Sequence, residues 1–84
     1  AQERARGLGE KGVLRFEIMQ LESRVEKITT KLGARTFEIL VKENQNTVSK
    51  KTSGVKELIE ELEELETRIK EKEQALGKLG KEES

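Results

Sequence analysis

Two apolar stripes at coiled-coil spacing, separated by one polar stretch, constrain this chain more than any other feature. The first runs Leu14, Ile18, Leu21, Val25, Ile28, Leu32, in steps of four, three, four, three, four. The second runs Val55, Leu58, Leu62, Leu65, Ile69, then Leu76 and Leu79, with Lys72 in its one polar slot. Alternating steps of three and four hold side chains on one narrow seam of a helix, and such a seam needs a partner helix.

The remaining residues agree with helices. All 17 acidic residues are Glu, and the chain has no Pro. Glu, Lys, Arg, Leu and Gln are good helix formers, whereas Asp competes for backbone hydrogen bonds and Pro breaks the helix ladder. Only 32% of the residues are hydrophobic and 40% are charged, so 84 residues make one small all-α domain without a thick core.

Several function classes lose their footing on composition. Without Cys or His there is no disulfide framework, no thiol chemistry, no usual zinc site and no histidine base. We expect no enzyme and no cofactor. Ile39-Leu40-Val41 is the longest apolar run, too short to cross a membrane. A start at Ala1-Gln2 fits either methionine removal or a signal already cleaved, and cytoplasm is the default expectation. A formal net charge of zero argues against bulk electrostatic binding to nucleic acid, and 2% aromatic residues leave little for base stacking.

Residues 1–12 contain Gly7, Gly9 and Gly12 and read as a flexible arm, since each glycine costs a helix about 1 kcal/mol. A first helix is expected over about 13–43. Lys31-Leu32-Gly33 would also suit a helix C-terminus, but Ala34, Phe37, Leu40 and Val41 recur at helical spacing and favour continuation. Gly33 then marks a bend or the close approach of a neighbouring backbone. A turn is expected over 44–53, with Thr52 or Ser53 capping a second helix over about 54–79.

Charge favours an antiparallel hairpin. If the chain reverses near Val48–Ser49, opposed residues have numbers summing to roughly 97, so that Leu32 meets Leu65, Ile28 meets Ile69 and Lys72 faces Val25. Lys27, Lys31 and Arg35 then flank the acidic run Glu60–Glu64, while Glu17, Glu22 and Glu26 flank Lys70, Lys72 and Lys78. A lone hairpin is marginal, because ordering each residue costs about 1.5 kcal/mol against one buried seam. Phe16, Met19, Phe37, Leu40, Val41 and Ile59 lie off that seam. A second hairpin, making a four-helix bundle, or a larger protein partner would cover them.

Other constellations carry less. Glu57, Glu61 and Glu64 share a helix face, but carboxylate-bridged metal bundles also use Glu-x-x-His pairs. Gly7-x-Gly9-x-x-Gly12 has the spacing of a dinucleotide loop without a preceding strand. Lys50 and Lys51 at the turn could contact an anion, which gives the alternative reading of a nucleic-acid or phosphate-binding adaptor.

Lys31-Leu32-Gly33-x-x-x-Phe37-Glu38, a polar loop, and the Glu-rich run Ile59-Glu60-Glu61-Leu62-Glu63-Glu64-Leu65 resemble a loose group of small bacterial coiled-coil proteins of unknown function. The resemblance spans residues 14–75 and implies a helical hairpin and no activity. Gre-type transcription cleavage factors carry acids at the hairpin tip, where this chain has Lys50 and Lys51. The expectation is therefore a non-enzymatic structural or protein-interaction module that self-associates.

Overall fold

The computed structural model describes the backbone of residues 2–83 and the side chains of residues 9–80. It is a rod of 63 × 16 × 16 Å built from two long helices packed side by side in opposite directions. Helix α1 spans Gln2–Phe37 and runs into one π-helical turn, Glu38–Lys42; helix α2 spans Lys56–Glu83. This is the all-α hairpin that the stripes require.

The helices begin and end differently from expectation. Helix α1 starts at Gln2, well ahead of Val13, and takes in all three early glycines. The helix formers around them (Gln2, Glu3, Arg4, Ala5, Arg6) outweigh the local cost. Gly33 does not stop α1, and a methyl carbon added there would meet nothing within 4 Å, so no neighbouring backbone approaches it. Helix α2 starts at Lys56, and Thr52 does not cap it with its side chain. The Thr52 hydroxyl instead accepts from the Ser49 N–H (2.9 Å), closing the turn upstream, while its carbonyl accepts from Val55 and Lys56. A short side-chain acceptor can serve either partner, and here the turn wins.

Along the seam, Leu21, Ile28 and Leu65 form the buried core, packed by Val25, Leu58, Leu62 and Ile69. The register differs from the symmetric expectation by about one heptad. Lys72 ion-pairs with Glu17 rather than facing Val25, Arg24 lies 3.6 Å from Glu61, and Arg35 lies beside Ser53 at the head of α2. The cause is at the tip. Helix α1 overshoots the start of α2 through its π turn, and the 43–55 segment folds back along it instead of bridging the helices by the shortest path.

The tip is closed by a compact set of contacts. Ile39 continues the first stripe three-four beyond Leu32, with Arg35 in the intervening slot, and it is fully buried at 0% exposure. The Glu43 N–H reaches Glu38 O (2.9 Å) and the Gln45 N–H reaches Ile39 O (3.1 Å), satisfying carbonyls that the helix end would leave bare. Asn44 follows at φ 57°, a left-handed conformation that Asn tolerates. Arg35 then ties the returning chain. Its Nε donates to Ser53 O (3.3 Å) and its Nη1 pairs with Glu43 (2.6 Å) and more loosely with Glu38 (3.7 Å). Each seam thus holds one basic residue, Arg35 or Lys72, and each finds a carboxylate.

Candidate interaction surface

What the hairpin leaves outside is as regular as what it buries. A compact chain of 9.6 kDa exposes about 5,100 Å²; this one exposes 6802 Å². Among the large apolar side chains that stay exposed are Phe16, Met19, Phe37, Leu40 and Val41, up to 68% for Met19. Val13 joins them, though its apolar character carries no weight in the sequence reading. Ile59 does not. It is half-buried on α2, beside the loop rather than on the free face of α1.

These exposed residues form two groups on one helix. Val13, Phe16 and Met19 lie near the start of α1's described side chains, and Phe37, Leu40 and Val41 lie at the tip. Twenty-one residues separate Phe16 from Phe37, which is about 32 Å of helix. The stretch between them on the outer face is lined by Ser23, Glu26, Lys27, Thr30 and Lys31, where the Thr30 hydroxyl bonds back to Glu26 O (2.9 Å). Near the open end, Gly9, Glu10, Val13, Leu14 and Leu79 line a shallow, mostly apolar depression where the seam is incompletely covered.

The charged candidates have neighbours of opposite sign. Lys50 and Lys51 are exposed on a turn held by the Ser49 side chain, which accepts from the Lys51 N–H (3.2 Å). They share an open depression with Lys56, Ile59, Glu60 and Glu63, so two carboxylates stand among the three ammonium groups. Of the Glu57, Glu61 and Glu64 face, Glu61 faces Arg24 and Glu64 pairs with Arg68 (2.9 Å). Among the described residues no group of three or more His, Cys, Asp or Glu is placed to hold a metal ion, and no helix is long and apolar enough to cross a membrane.

Two important positions escape the sequence reading, and both carry a signal. Arg35 and Ile39 continue the three-four stepping of the first stripe. From sequence, Arg35 reads as a flanking charge and Ile39 as one of an undivided apolar trio. No family model, curated protein or solved structure matches the chain.

Proposed function

We propose that this protein is a non-enzymatic structural or interaction module, a helical hairpin that becomes complete by associating with protein, in the first instance with its own kind as a four-helix assembly. The observation that carries this reading is the exposed apolar surface of α1. A monomer rarely keeps large apolar side chains grouped in water unless they meet something. The two helices share one seam and cannot cover a second face of α1 between them. The charged surface elsewhere, with Lys, Arg and Glu interspersed, keeps the rod soluble while leaving that face as the place for contact.

Sedimentation equilibrium from micromolar to hundreds of micromolar chain tests this directly. A mass of twice the chain, rising with concentration, is the expected result. A monomer at every concentration that also recovers no protein partner in pull-down removes the basis of the reading.

A further inference from the structure

The exposed apolar side chains of α1 obey a second heptad frame. Starting at Gly9, positions a are Gly9, Phe16, Ser23, Thr30 and Phe37; positions d are Gly12, Met19, Glu26, Gly33 and Leu40. Positions e, one after each d, include Val13 and Val41. All six exposed large apolar residues, Val13, Phe16, Met19 and Phe37 of α1 and Leu40 and Val41 of the π turn that prolongs it, fall on a, d or e of this frame. In the lettering of the α1–α2 seam the same positions are b, c and f, the back of the helix. Helix α1 therefore carries two seams on opposite sides, and α2 occupies only one.

We infer that the second seam is covered by α1 of a second copy of this chain, antiparallel to the first about a two-fold axis near residue 28. This inference rests on the self-association proposed above and names its surface and register. The distribution of side-chain sizes selects that occupant. In an antiparallel pair, an a residue faces a d residue of the other copy. One register matches the large apolar residues with one another and sets Ser23 against a glycine. Phe16 faces Leu40 of the second copy, Met19 faces its Phe37, Ser23 faces its Gly33, and Glu26 faces its Thr30. By symmetry the same contacts recur on the other side of the axis. A slip of one heptad sets Phe16 against Gly33 and strands the apolar groups at both ends.

Charge disfavours the parallel alternative. Parallel pairing in register stacks Glu26 on Glu26 at a seam position, whereas the antiparallel pair sets each Glu26 against a threonine hydroxyl with Lys27 of the other copy one turn away. Gly33 agrees with this register: nothing lies within 4 Å of where a methyl carbon would sit on it, so no contact inside the chain requires a glycine there, and opposite Ser23 of the second copy it lets a second backbone approach.

Six side chains with on the order of 100 Å² accessible each give roughly 600 Å² per copy and 1,200 Å² for the pair, the size of a small specific interface. Because the two seams of α1 lie on opposite sides, the four helices form a flat layer, α2–α1–α1–α2, rather than closing around a square core.

The absence of native cysteine makes the test clean. Met19→Cys and Phe37→Cys variants are prepared separately, mixed, and oxidised under mild conditions. The inference expects a disulfide between position 19 of one variant and position 37 of the other to dominate, with little cross-linking in either variant alone. Self-cross-linking of each variant alone would overturn it in favour of a parallel pair. A dimer by sedimentation that gives neither cross-link would overturn the register and leave self-association standing, and a monomer would remove both. Gly33→Leu supplies a second readout. It replaces a poor helix former, yet it is expected to weaken dimerisation at least tenfold with helix content by circular dichroism retained. Unchanged dimerisation would overturn the close approach at Gly33.

Discussion

The Arg35 side chain lies against Gly54 so closely that a methyl carbon on that glycine would stand 2.8 Å from Nε and 3.3 Å from Cδ. Gly54 also sits at φ 82°, where a side chain is strained in any surroundings. Gly54→Ala is therefore expected to lose about 1–2 kcal/mol from the backbone alone. It also displaces the guanidinium from Ser53 O. Urea unfolding followed by circular dichroism measures the loss; a change within error would mean that this turn relaxes freely.

Ile39 supports a second expectation. Truncation to Ala at a fully buried site leaves a cavity and costs about 2–5 kcal/mol, and the cost at a half-buried position is smaller. Leu79→Ala, at the far end of the seam, should be the milder change. Comparing the two denaturation midpoints tests the ranking, and equal costs would contradict it.

The Glu17–Lys72 pair reports register. Glu17→Lys and Lys72→Glu should each destabilise the hairpin, while the double swap restores much of the loss. Both groups are about one-third exposed, so the coupling in a double-mutant cycle is expected to be modest, about 0.2–1 kcal/mol. A coupling of zero, with Val25→Glu coupling to Lys72 instead, would support the symmetric register.

Asn44 offers a contrast between two substitutions. Its left-handed backbone suits glycine, so Asn44→Gly should leave the melting temperature nearly unchanged, whereas Asn44→Ala should cost about 1 kcal/mol. Equal effects of the two substitutions would mean that the side chain, not φ, matters there.

The hairpin is legible in the sequence because stripe spacing and charge are local properties of each helix. Its register is not, for a physical reason. A seam that repeats every seven residues maps onto itself when slipped by seven, so Leu, Ile and Val match equally well before and after. What breaks the degeneracy is the path of the 43–55 segment, which is tied by the Gln45 N–H to the Ile39 carbonyl and by Arg35 to Ser53. Such contacts join residues far apart in sequence and leave no periodic trace. The start of α1 is hidden when its glycines are weighed singly and not against their helix-forming neighbours. The outer surface is half legible. Phe16, Met19, Phe37, Leu40 and Val41 stand out as surplus apolar residues, but Val13 does not, and Ile59 belongs elsewhere.

Ile39, the one fully buried large side chain among the described residues, lies at the tip, with Val55 nearly as buried at the return of the chain. At the other end Leu14, Leu76 and Leu79 remain half-covered, and the seam opens into a depression. We therefore expect the two helices to part at this open end before they part at the tip. Amide hydrogens at Ile28 or Leu65 will outlast those at Leu14 or Leu79 in exchange with solvent. A load that spreads the helices from the Leu14–Leu79 end is expected to reach the tip last, where Ile39 holds the two arms as a hinge pin does.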